Sequence, residues 1–443
     1  MSGQQNGSYS QLTQNSNSSL DTKSTTSLRW LDYDFNISNG NQPVSSSSSQ
    51  ALANTQSSPS TQSLFGGANP NPNPYLTSPA IVPDFNGDGK ADKIWIDSQT
   101  GEVVVWLMDG TNVASKGSLG TVDLSTTGYK IGDFNNDGKT DFLLRNNVTG
   151  ENSLLLMDGT RIANAVTLDT VDPNWSPLIG DFNGDRKTDI FWRNNATGEN
   201  AIWLMDGTTV VNATILESVD TSWTPTLVDF DGNGKTDIFW RNTTGENSAW
   251  FMDGTQVSAS SLESQSPDWA FSVGDFNGDF RTDIFWRNET TGENTIWQTN
   301  SLLPNNIFFT TGSLTSLDSS WKASIADFNG DGKTDIFWRN ESTGANTSWL
   351  IDGTAIASET FLSPTSGNWK ASFGDFNNDG KSDIYWRNYE TGADEIWTTT
   401  GDGTTVVKTA IAETDRLSPI VLGEDGNPVV GEDGVPFRKW VTV

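Results

Sequence analysis

Apolar residues in the middle of this chain come in short runs, and the runs are set apart by turn-forming residues. SPLIG (Ser176–Gly180) leads into the polar stretch DFNGDRKTD, and IFWRN (Ile190–Asn194) follows it. After the turn NATGEN come AIWLMDG (Ala201–Gly207) and VVNATILESV (Val210–Val219). The runs are five to ten residues long and bounded by Gly, Asn, Asp and Thr, which predicts about four strands of 4–8 residues. Nowhere does an apolar period of 3.6 residues persist for three turns, so no helix is expected. Runs such as IFW are apolar on both faces, as strands covered on both sides are.

The same order recurs. The polar stretch begins at Asp84, Asp133, Asp181, Asp229, Asp275, Asp327 and Asp375, with starts 49, 48, 48, 46, 52 and 48 residues apart. Trp175, Trp223, Trp269, Trp321 and Trp369 each lie six residues before a stretch. Trp95, Trp192, Trp240, Trp286, Trp338 and Trp386 each lie eleven after its first Asp. Trp106, Trp203, Trp250, Trp297, Trp349 and Trp397 form a third set, so the repeat accounts for 17 of the 19 tryptophans. About four strands per repeat and seven repeats predict an all-β chain, a seven-bladed β-propeller over residues 79–415. Residues 1–78, rich in Ser, Asn, Gln and Thr, hold too few apolar groups to offset the entropy of ordering and read as a disordered tail. NPNPNP (Asn69–Pro74) reads as an extended spacer. Residues 416–443 form a C-terminal extension. Closing a ring removes exposed strand edges, and either Leu28–Ile37 or Phe437–Val443 could supply the closing strand.

The polar stretch has the donor spacing of a cation loop. Position 1 is Asp84, Asp133, Asp181, Asp229, Asp275, Asp327 or Asp375. Position 3 is Asn86, Asn135, Asn183, Asp231, Asn277, Asn329 or Asn377. Position 5 is Asp88, Asp137, Asp185, Asn233, Asp279, Asp331 or Asp379. Position 9 is Asp92, Asp141, Asp189, Asp237, Asp283, Asp335 or Asp383. A backbone carbonyl at position 7 could complete the oxygen shell that calcium takes. An EF-hand would need a glutamate at position 12 and helices on either side. Here that position is Trp or Leu and the flanks read as strands. An Asp/Asn/Gly turn without metal is the bland alternative, but three carboxylates within nine residues repel one another unless a cation neutralises them. Seven loops predict up to seven Ca²⁺ ions. Gly at position 6 permits a positive φ; Arg186 and Phe280 replace it, which predicts two weaker sites.

The loop DFNGDGKTDI at this period resembles the FG-GAP/VCBS repeat family, which includes the propeller of integrin α-subunits and fungal propeller lectins. The longer unit is similar to bacterial VCBS-repeat proteins. The resemblance implies a calcium-stabilised propeller, usually outside the cell, used for adhesion or glycan binding. It carries over the loop residues and supplies no matched ligand site.

Composition narrows the chemistry. With 26 Lys+Arg against 56 Asp+Glu the net charge is −30, which argues against a nucleic-acid partner. No Cys and no His leave zinc, copper and haem almost without ligands and remove the usual general base. No apolar run is long enough for a transmembrane helix, and the first twenty residues lack the apolar core of a cleavable signal peptide. A monomer is expected.

Other recurrences have a packing reading and a functional one. Arg145, Arg193, Arg241, Arg287, Arg339 and Arg387 could line sugar pockets between blades. The favoured reading has them stack on neighbouring tryptophans or bond strand-end carbonyls. The tryptophans read as core. Asn147, Asn195, Asn242, Asn288 and Asn340 begin Asn-x-Ser/Thr sequons in a hairpin turn that favours Asn anyway. Blade 5 carries an insert, SLLPNNIFFT, the best candidate for a blade-specific contact. The leading expectation is a calcium-dependent recognition module for a glycan or protein ligand at a cell surface. The alternatives are a purely structural surface or matrix protein and, third, a polysaccharide-acting enzyme, for which no nucleophile or base constellation stands out.

Overall fold

A computed structural model describes residues 82–97, 100–123, 125–300, 307–388 and 391–411, together with the backbone of Trp440–Thr442. The expected tail (1–78) and Leu28–Ile37 lie outside the described residues. The chain forms seven four-stranded antiparallel sheets, the blades of a seven-bladed β-propeller, with no helix among the described residues. In blade 3 the strands are Trp175–Gly180, Asp189–Asn194, Asn200–Asp206 and Thr209–Leu216, paired in sequence order. The second strand, DIFWRN, is buried along its whole length, while the fourth exposes most of its residues. The exposure of the fourth strand places it at the outer rim.

Burial on both faces is what the doubly apolar runs require. Seven apolar clusters fill the spaces between blades, one per junction. At junction 3–4, for example, Phe191 and Ile202 pack with Ile238, Trp240 and Trp250. The tryptophans of the second and third strands meet within a blade: Trp192 and Trp203 are edge-on at 5.2 Å, Trp240 and Trp250 at 5.1 Å. Such pairs add about 0.5–1.5 kcal/mol beyond the area they bury.

Blade 1 lacks a first strand of its own in the described chain, and Trp440–Thr442 takes the place. Trp440 pairs with Asp97, the register in which Trp175 pairs with Asn194 and Trp223 with Asn242. The C-terminal candidate therefore closes the ring, and Trp440 falls at the backbone position of the tryptophan that precedes the loop in five other blades.

Backbone hydrogen bonds also run round the ring. The position-8 N–H of each blade donates to the position-1 carbonyl of the blade before it, from Thr140 to Asp84 (2.7 Å) through Ser382 to Asp327 (2.7 Å). Ala91 to Asp375 (2.7 Å) completes the circle. The loops are thus tied into the joints between blades.

Candidate cation loops and the blade junctions

Each loop is wound around its first aspartate. In blade 1, Asp84 Oδ1 accepts from the N–H groups of Gly87 (2.7 Å) and Asp88 (3.2 Å), and Oδ2 accepts from Gly89 (2.8 Å). Asn86 Oδ1 accepts from the Asp88 N–H, and its amide donates to Asp88 Oδ2. Asp88 Oδ1 accepts from the Lys90 N–H. This winding needs positive φ at two positions. Position 6 was expected, and it is met by glycine except at Arg186 (φ 72°) and Phe280 (φ 66°). Position 4 also requires it, which the sequence reading missed. Asn136 (58°) and Asn378 (57°) adopt it there, and glycine fills the other five loops. The signal was present as an unbroken Gly/Asn choice, since these residues visit that region at least cost.

Position 9 has a second task. Asp92 Oδ2 accepts from the Phe85 N–H (2.8 Å) and Oδ1 from the Met108 N–H (2.8 Å), joining loop to third strand. The same pair of bonds is made by Asp141, Asp189, Asp237 and Asp335. These carboxyls are almost fully buried. Burial pushes Asp92, Asp141, Asp189 and Asp383 up to about 7, against backbone N–H donors that pull the other way. Asp237, Asp283 and Asp335 are raised well above the usual carboxylate range for the same reason. At position 1, burial lifts Asp229 to about 7 and Asp275 and Asp327 to about 6. Asp84, Asp133, Asp181 and Asp375 are raised too.

The four expected donors do not all converge equally. In blade 4, carboxylate oxygens of Asp229, Asp231 and Asp237, positions 1, 3 and 9, lie within 4.8 Å of one another. Among the described residues no other loop brings three carboxylates so close, because position 3 is Asn elsewhere. Position 5 instead faces the position-7 N–H and the position-3 amide. The donor set is all oxygen, and in every loop a buried position-9 carboxylate is repelled by a buried or half-buried one at position 1. These residues fit a hard divalent cation.

The position-7 side chain reaches the loop's own position-5 carboxylate in blades 5 and 7 (Arg281 to Asp279 at 3.5 Å, Lys381 to Asp379 at 3.9 Å) and chiefly an acid outside the loop in blades 1–4 and 6. Lys90, Lys139 and Lys333 bond Asp109, Asp158 and Asp352 at 2.6–2.8 Å, and Lys187 and Lys235 bond Asp206 and Asp253. Each acid ends the third strand of its own blade. Position 8 was also missed: besides the interblade N–H, the hydroxyls of Thr140, Thr282 and Thr334 accept from the N–H of Asp84, Asp229 and Asp275.

At the opposite end of the blades the recurrent arginines are committed to packing. Six guanidinium groups stand 4.7–5.0 Å from a tryptophan ring of the next blade: Arg145 on Trp192, Arg193 on Trp240, Arg241 on Trp286, Arg287 on Trp338, Arg339 on Trp386 and Arg387 on Trp95. Each guanidinium also donates to carbonyls; Arg193, for instance, bonds those of Gly198, Val219, Asp220 and Trp223. Burial lowers Arg193, Arg287 and Arg339 from their ordinary value, and Arg145 and Arg241 to about 10. The sequons behave as turns. Asn242, Asn288 and Asn340 are buried, with Oδ1 accepting turn N–H groups, whereas Asn147 and Asn195 are exposed. Two tryptophan sets are buried, but Trp175, Trp223, Trp269, Trp321 and Trp369, at this same end, stay half-buried. Of the blade-5 insert, residues 301–306 lie outside the described residues. Ile307 is buried at junction 4–5, Phe309 packs on Phe230 and Trp297, and Phe308 is half exposed.

Comparison with known proteins agrees with this geometry. A lectin of Agrocybe aegerita, described as recognising non-reducing terminal N-acetylglucosamine, aligns over 76% of this chain and 93% of its own at 15% identity, TM-score 0.60. A post-proline cleaving enzyme from Rickettsia typhi aligns over 78% of this chain and 56% of its own at 11% identity, TM-score 0.50. At such identities the likeness is one of fold. A search of curated proteins returns no match. Matches to the FG-GAP-like repeat run from each loop into the next blade, at residues 84–144, 133–192, 181–240, 229–286, 275–338 and 327–386. The chain belongs to the FG-GAP-like repeat family.

Proposed function

We propose that this propeller binds calcium in its seven loops and serves as a recognition module for a glycan or protein ligand outside the cell. The observation that carries the calcium reading is the mutually repelling pair at positions 1 and 9, with position 9 buried in every blade. A divalent cation would relieve both the burial and the repulsion. Extracellular calcium suits sites of this kind, which bind at about 10⁻⁴–10⁻³ M.

Recognition is supported by the half-buried tryptophans at the end of the blades away from the loops. Each packs part of its ring against a junction core and leaves part to solvent, where a sugar ring or aromatic group could rest. The Agrocybe lectin shares the fold, which makes a glycan the first ligand class to test. Calcium should be titrated by calorimetry, and a glycan array probed with and without chelator. Specific binding that falls on Trp321→Ala favours recognition. A flat array from a calcium-loaded, folded protein removes the glycan reading and favours a structural role, and a polysaccharide turnover screen covers the enzyme alternative.

A further inference from the structure

A ring of near-identical repeats has a problem of counting. Each blade offers the next nearly the same surface, so blade 1 could be closed by blade 6 as readily as by blade 7. The closing backbone pairs do not decide it, because the Trp440–Asp97 register is that of every other blade. Side chains at junction 7–1 do. Three residues there depart from the repeat. Lys93 stands where the other blades have Phe142, Ile190, Ile238, Ile284, Ile336 and Ile384. Tyr385 replaces the Phe of blades 3–6, and Asp394 replaces the Asn of blades 2–6.

The fold brings all three together across about three hundred residues of chain. Lys93 is buried, and its Nζ lies 4.2 Å from the Tyr385 ring centroid and 5.0 Å from that of Phe376. It donates to Ser372 Oγ at 2.7 Å. Asp394 is paired with Arg387 at 2.5 Å. Burial pushes the Lys93 amine down to about 7, and the Asp394 charge across the junction is what opposes that fall. Arg387 completes the set by stacking on Trp95.

We propose that Lys93, Tyr385 and Asp394 form a closure key that selects blade 7 as the partner of blade 1 and so fixes the ring at seven blades. Against blade 6, Lys93 would meet Phe337 and Asn346, with no carboxylate, and a buried ammonium without a counter-charge is strongly disfavoured. Reserving one polar arrangement for the correct partner is a use of buried charge that costs stability and gains register.

The test reverts the key to the repeat in the full chain: Lys93→Ile, Tyr385→Phe and Asp394→Asn together. Parent and variant are unfolded in denaturant, refolded, and read by hydrogen exchange with mass spectrometry. The parent should return to one population with the strands of blade 7, Trp369–Ala410, protected. The triple variant should retain protected blades 2–5 but show a second population in which blade 7 has lost protection. A single, fully protected population would overturn the proposal. Should the triple variant not fold, Lys93→Ile alone leaves the Arg387–Asp394 pair intact and carries the same readout. Calcium binding and glycan recognition do not enter this measurement, so its outcome is independent of theirs.

Discussion

Ile96 and Leu144 lie in one apolar cluster, at the junction where every other pair of blades stacks an arginine on a tryptophan. Ile96 holds the arginine position of blade 1 and Leu144 the tryptophan position of blade 2. Both halves of the pair are absent together. Val103 likewise holds the position of the Asn that accepts from arginine in blades 2–6. Joint loss is what a buried guanidinium demands, since it needs an aromatic face and carbonyl acceptors at once. Removing the fork at an intact junction should therefore be costly. Arg287→Met is expected to lose about 2–4 kcal/mol in urea unfolding, from unpaired carbonyls and a lost stack. Ile96→Met, by contrast, should change stability by less than about 1.5 kcal/mol, as volume-conserving apolar swaps do. Equal effects would show that the arginines are ornamental.

Calcium should stabilise the ring beyond the loops themselves. The position-1 carbonyl of each loop accepts the next blade's N–H, so ordering a loop also fixes a junction. A ligand at one hundred times its Kd stabilises the native state by about 2.7 kcal/mol per site. Differential scanning calorimetry should show a large upward shift of Tm with millimolar calcium, reversed by chelator. A Tm unmoved by chelator would refute the calcium reading.

The sequence made the strands and the blade count legible because each rests on a local pattern repeated seven times. Repetition separated signal from chance: one run of short strands is ambiguous, and seven at one period are not. What was not legible depended on where a residue sits in the closed ring. Nothing local in Thr140 or Thr334 tells that its hydroxyl faces the blade before it. Nor does the spacing tell that Asp92 holds the loop to Met108 while Lys90 reaches Asp109. The closing strand left two candidates, because pairing with a sheet edge is decided by contacts far along the chain.

Protons and calcium should compete for the position-9 aspartates. In chelator, Asp92, Asp141, Asp189 and Asp383 titrate at about 7 in the fold, against about 3.9 in an unfolded chain. Between those values the native state holds more protons than the unfolded state, so stability falls as pH rises. Chelated protein should therefore melt at a higher temperature at pH 5 than at pH 7.5. Calcium favours the deprotonated carboxylates, so its stabilising shift should grow over the same range. A chelated Tm that rises from pH 5 to 7.5 would show that these carboxyls are not lifted by burial.

Arg186 and Phe280 separate backbone strain from metal affinity. Both occupy position 6 with φ near 70°, where five loops have glycine. An L-residue in that region costs about 1–2 kcal/mol. Glycine removes the cost but gives back about 0.5–1 kcal/mol through the greater freedom of the unfolded chain. Arg186→Gly and Phe280→Gly should each stabilise the chelated protein by about 0.75 kcal/mol, the difference between the midpoints of those two ranges. In calcium the two variants should diverge. Arg186→Gly also removes a cation three residues before Asp189, so its loop should gain affinity in calorimetry; Phe280→Gly removes no charge and should gain only through a better-ordered loop. If both variants gained affinity equally, strain alone would set the ranking of the sites. If neither gained stability in chelator, the positive φ at position 6 would be held at no cost by the bond from its N–H to the position-1 carboxylate, at 2.8 Å for Arg186 and 2.7 Å for Phe280.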